Sequence, residues 1–95
     1  MIPKHRLPTH PGQILLLEFM EPLGLTQVAF AAHLDISAQR LNEIINGKRG
    51  VTPETAWLLA SALRTTPEFW MNLQTTFDLA ARKPERSVRP IAKSA

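Results

Sequence analysis

The segment AFAAHLDISAQRLNEI, Ala29 to Ile44, has a helical pattern at both ends, yet Leu34-Asp35-Ile36-Ser37 interrupts it with a capping residue. This break constrains the fold more than any other feature. Two short helices joined by a turn of three to four residues cross steeply, which pushes the start of the second one out of the domain. Ala31 is small where the two helices must approach closely. The later helix is polar in its first turn, at Ser37, Gln39 and Arg40, and its apolar residues begin only at Leu41. A rod of that kind can enter a DNA major groove with its leading side chains, while the later residues anchor it.

The rest of the chain supplies the frame. Pro3, Pro8 and Pro11 predict an extended arm over residues 1–10. From Gly12 to Met20, the residues Ile14, Leu15, Leu16, Leu17, Phe19 and Met20 leave only a narrow polar stripe, so this first helix is expected to be buried on more than one side. Pro22 and Gly24 end it. Thr26 caps a second helix running to about His33, with Phe30, Ala31 and Leu34 facing inward. Ser37 caps the third, which buries Leu41, Ile44 and Ile45 and stops at Asn46-Gly47. Thr52-Pro53-Glu54 and Thr66-Pro67-Glu68 each join a cap, an N1 proline and a first-turn acid, and so open the fourth and fifth helices. Trp57, Phe69, Trp70 and Phe77 are expected in the core, with some of this surface left for a twofold partner. No segment alternates with period two, so the domain, residues 11–81, is predicted all-α with five helices.

Composition bounds the chemistry. A chain of 95 residues holds one small domain, and pairing with a second copy would supplement its modest core. It has no cysteine, which excludes disulfides, thiolate metal sites and thiol nucleophiles, and fits a reducing compartment. No leader or membrane-spanning run is legible, so the expected location is the cytoplasm. The net charge of +3 is uneven. Residues 1–81 carry Lys4, Arg6, Arg40, Lys48, Arg49 and Arg64 against seven acids, whereas residues 82–95 carry Arg82, Lys83, Arg86, Arg89 and Lys93 against Glu85 alone. That tail reads as a basic, disordered extension.

The candidate DNA-binding residues follow from the helical frame. Gln27 is the first residue after the Thr26 cap, where free backbone N–H groups favour an anion, and Lys48 and Arg49 follow the glycine stop and can reach a second phosphate. Specificity would rest on Ser37, Ala38, Gln39 and Arg40. Gln39 can pair with adenine, Arg40 with guanine or a phosphate, and the Ala38 methyl can meet a thymine methyl. Glu43 could accept from cytosine, repel a phosphate, or bind Arg40 or Lys48. His33, His5 and His10 have no metal-ligand spacing; Ser37 near His33 lacks a third orienting group; and Glu18 with Glu21 reads as a solvated helix end. No metal, cofactor or enzymatic activity is expected.

From Pro11 to about Leu79, through HPGQILLLEFMEPLGLTQ, RLNEIINGKRGVT and TPEFWMNLQ, the chain resembles the HigA-type antitoxins, a branch of the phage-repressor-like (XRE) helix-turn-helix proteins. The resemblance implies a five-helix, lambda-repressor-like domain with the helix-turn-helix at helices 2 and 3. It also implies a homodimer that binds double-stranded, palindromic operator DNA, represses its own operon and neutralises a small RNA-cleaving toxin of the HigB type. Gln27, Lys48 and Arg49 fall where such proteins touch phosphates, and Ser37, Ala38 and Gln39 fall at the start of the recognition helix. Asp35 departs from the glycine common at this turn, which a left-handed Asp would tolerate. The alternatives are a stand-alone regulator, or a toxin-binding module with weak DNA binding. A dimer interface is expected to involve Phe69, Trp70, Leu73 and Phe77.

Overall fold

The computed structural model describes residues 8–91. Among them run α1 (Pro11–Ile14), a π-helical continuation (Leu15–Met20), α2 (Gln27–Leu34), α3 (Ala38–Ile45), α4 (Pro53–Leu63) and α5 (Pro67–Ala81), with no strand. The side chains of Thr26, Ser37, Thr52 and Thr66 each accept a backbone N–H three residues on, so all four cap signals are used. Each bond satisfies a donor that the first helical turn leaves without a partner.

The first helix departs from expectation at both ends. Of the arm expected over 1–10, residues 1–7 lie outside the described residues, and the last residue is no arm at all. His10 is buried and its Nδ1 accepts from the Gly12 N–H at 2.9 Å, capping α1. At the other end the helix widens, with the Glu21 N–H donating to the Leu16 carbonyl at 2.9 Å, five residues back. Residues five apart then share a face, which is how Leu15 and Met20 both enter the core. Leu17, expected inside, is 51% exposed.

The core brings together Leu15, Met20, Phe30, Leu34, Leu41, Ile44, Ile45, Val51, Leu59 and Trp70. Trp70 has no accessible surface, and its indole N–H donates to Thr65 Oγ1 at 2.7 Å. It cannot face a partner chain, so its assignment to a dimer interface is corrected: an apolar ring whose polar edge is satisfied within its own protomer is core. Phe19 and Phe69 pack on it with ring centroids 5.3 and 5.0 Å away. Trp57 departs the other way: it was expected inside and is 64% exposed on α4.

Two close approaches seat α3. Gly12 lies against the Ile44 carbonyl, where any Cβ would overlap the backbone. Beside it, Gln13 Nε2 donates to the Ile45 carbonyl at 2.9 Å. From the far side, Gln74, buried on α5, accepts the Val51 N–H at 2.7 Å and donates to Asp78, tying the loop after α3 to the last helix. Residues 83–91 carry no helix or strand and are exposed.

Candidate nucleic-acid interface

The turn between α2 and α3 closes as the break in the sequence requires. Asp35 adopts φ 58°, ψ 43°, and its N–H reaches the Ala31 and Ala32 carbonyls, ending α2 in a left-handed residue that Asp accepts at modest cost. Ala31 is 1% exposed and belongs to the core where α2 meets α3. Ile36 is partly buried against the core, and Ser37 then starts α3 with its hydroxyl accepting from the Arg40 N–H at 3.0 Å.

The leading turn of α3 projects as expected: Ser37, Ala38 and Gln39 are exposed, whereas Leu41, Ile44 and Ile45 are buried. Arg40 is different, and its reading as a base or phosphate ligand is corrected. Its Nη2 donates to Thr55 Oγ1 at 2.6 Å and to Glu54 Oε1 at 3.2 Å, and its Nε is buried without a partner. The guanidinium is turned inward because Thr55, 1% exposed, offers a buried acceptor beside a carboxylate, and a charged donor pairs most strongly there. Arg40 is thus a tether from the first turn of α3 to the start of α4.

The phosphate candidates lie at the two ends of the same surface. Gln27 opens α2, and its Oε1 accepts from Asn42 Nδ2 at 3.0 Å; Asn42 Oδ1 in turn accepts from Asn46 Nδ2 at 3.0 Å. This run of amides crosses the outer side of α3. The Gln27 Nε2 donor takes no partner among the described residues, and Asn42 and Asn46 are exposed along the strip. Neither asparagine stood among the candidate residues, although Asn42, four positions after Ala38 and free of the core, carried the signal. Lys48 and Arg49 are exposed after Gly47, which has φ 75°. Their N–H groups both donate to the Glu43 carbonyl, at 2.9 and 3.2 Å, so the basic loop is folded back on the helix end. Arg49 donates twice to Glu43 Oε1, from Nε at 3.1 Å and Nη2 at 3.0 Å. Of the partners expected for Glu43, neither Arg40 nor Lys48 is the one used.

Lys48 makes no ion pair among the described residues. His10 faces the back of this loop, its ring near Gly47 and edge-to-face with Phe77 at 4.9 Å. Burial holds its pKa below the ordinary 6.5, with the nearby Asp78 carboxylate opposing. His33 lines an apolar cleft with Leu25, Phe30 and Leu63. The described residues contain no group of histidines and acids that could hold a metal ion, and no helix long and apolar enough to cross a membrane.

This surface has counterparts. A helix-turn-helix family model matches residues 16–70. Virulence-associated protein I of Dichelobacter nodosus is 37% identical over 84 residues, covering 87% of this chain and 78% of that protein. Antitoxin HigA-1 of Vibrio cholerae is 43% identical over 75 residues, or 78% of this chain and 70% of the relative. Among solved structures, antitoxin GraA in complex with its operator superposes with a TM-score of 0.84 at 34% identity, covering 98% of this chain and all of that one. The chain belongs to the helix-turn-helix family, in the XRE-type branch that includes the HigA antitoxins.

Proposed function

We propose that this protein is a sequence-specific DNA-binding repressor that acts as the antitoxin of a type II toxin–antitoxin pair. The observation that carries the reading is the leading turn of α3, exposed at Ala38 and Gln39 yet held rigidly by the Ser37 cap and the Arg40 tether. A side chain on such a support reads a base edge without first losing much freedom. Gln39 reads bases. Gln27, Lys48 and Arg49 bind phosphates on either side, and Ser37 and Ala38 contact the groove edge. That the relative GraA was solved in complex with its operator supports operator binding by this fold.

The protein works in the cytoplasm as a homodimer, with two copies of α3 entering successive major grooves about 34–36 Å apart on a palindromic site. Phe69, 38% exposed, with partly buried Leu73 and Phe77, supports α5 as the dimer surface. Kinship with HigA-1 supports a small RNA-cleaving toxin as the second partner, and the basic segment 82–95 lies outside the domain that reads DNA.

The test is a gel-shift titration on the DNA upstream of the coding region. Gln39→Ala should cost about 1–3 kcal/mol at one base position and relax preference there, whereas Lys48→Ala should weaken all sequences alike and lower the salt slope by about 1. If neither change alters retention of that DNA, the groove assignment is wrong. Copurification with the product of the adjacent reading frame, and rescue of its toxicity, tests the antitoxin role.

A further inference from the structure

Resting on the DNA-reading role proposed for α3, we infer that Glu43 is a specificity filter: an internal acid that holds Arg49 away from phosphates and releases it at little cost only where a base donor replaces it. Glu43 lies one turn after Gln39 on the exposed strip of α3. Both guanidinium bonds from Arg49 land on Oε1, and Oε2 takes no hydrogen bond among the described residues. The carboxylate is 30% exposed and the guanidinium 51% exposed, so the pair sits at the surface and is free to exchange partners.

A phosphate and a carboxylate offer Arg49 the same bidentate chemistry. DNA must therefore compete with Glu43. On an arbitrary duplex Arg49 gains a phosphate only by leaving a bare carboxylate against a polyanion, and little is won. Where the facing base pair presents an amine in the major groove, the cytosine N4 group above all, the carboxylate accepts from it and the exchange becomes favourable. Glu43 thus subtracts affinity from every wrong sequence and spares the right one. Both arginines of the helix-turn-helix unit, Arg40 and Arg49, are paired with acids in the free protein. Arg40 is held in addition by the buried Thr55 hydroxyl, whereas the Arg49 guanidinium, 51% exposed against 27%, has no such anchor and is the one placed to exchange.

The experiment compares Glu43→Gln with the wild-type protein on the upstream operator and on a scrambled duplex of equal length, by fluorescence anisotropy across a salt series. Gln keeps the shape and an acceptor but removes the charge, and a thermal melt of each variant checks that the fold is intact. Affinity for the scrambled duplex should rise roughly threefold to tenfold, and its salt slope should steepen by about 0.9, one further phosphate neutralised. Operator affinity should change less or fall, so the specificity ratio narrows. In the Glu43→Gln background, Arg49→Ala should reverse the gain on scrambled DNA, whereas in the wild-type background it should cost less. Equal changes on both duplexes, or an unchanged salt slope, would overturn the filter. A wild-type protein that does not prefer the operator at all would instead overturn the DNA-reading role itself.

Discussion

The two ends of α3 carry one arginine each, and the contrast between them shows how this domain divides rigidity from chemistry. Arg40 lies in the first turn, its side chain 27% exposed, bonded to the buried Thr55 and to Glu54. Arg49 follows the last turn, 51% exposed, and its side chain bonds to Glu43 alone among the described residues. Both are ion-paired, yet the first pair rests on a buried hydroxyl from another helix, while the second lies within one helix and its own trailing loop. A charge-assisted bond to a buried partner fixes geometry, whereas a surface pair contributes little to stability and exchanges readily. The start of α3 is therefore a support, and the end is a ligand-exchanging edge.

The strongest way to break this contrast is to unseat the whole helix. Gly12→Ala places a methyl into the Ile44 carbonyl, where backbone and not a flexible side chain must move. A loss of about 3 kcal/mol or more in urea-unfolding stability is expected, since overpacking a fixed backbone has no cheap relaxation. An unchanged midpoint would mean that α1 does not seat α3 in solution.

Next in size is the tether. Arg40→Ala should lower stability by about 1–2 kcal/mol, because Thr55 and Glu54 lose a charged donor. It should weaken DNA binding through misplacement of Gln39, with no change in salt slope. Arg49→Ala should show the opposite profile, stability within about 0.5 kcal/mol of wild type and a shallower salt slope. Identical behaviour of the two variants would erase the distinction between support and ligand.

The smallest effect is a pH dependence at His10. Burial lowers its pKa, so between the folded value and the ordinary 6.5 the unfolded chain binds more protons. The stability contributed by neutral His10 is thus complete above pH 6.5 and is lost as pH falls below it, as protonation removes the Nδ1 acceptor from the Gly12 N–H. His10→Asn, which keeps a capping acceptor but does not titrate, should flatten the melting-temperature profile between pH 7 and pH 5. A profile as steep as wild type would assign the acid loss elsewhere.

Much of this surface was legible from residue order. The break at Asp35-Ile36-Ser37, the small Ala31 and the polar first turn of the third helix predicted a projecting helix, because caps, turns and helical periodicity act over a few residues. Arg40 was misread for a physical reason: its sequence neighbours expose it, and only Thr55, fifteen residues away, draws it inward. The same holds for Trp70 and Trp57. Both have aromatic bulk on an apolar helix, yet the packing of α5 against the first helical segment encloses one and leaves the other bare. The π-helical widening at Leu15–Met20 also escaped, since a run of leucines fits either register.

Local chemistry alone determined where α2 to α5 begin and which residues lead α3, since cap hydroxyls, N1 prolines and left-handed stops act on backbone groups within reach of one turn. The tertiary structure decided which of those leading side chains are free. Whether a guanidinium faces a groove or a neighbour depends on acceptors that chain folding brings together from distant positions, and no pattern along the sequence encodes that distance.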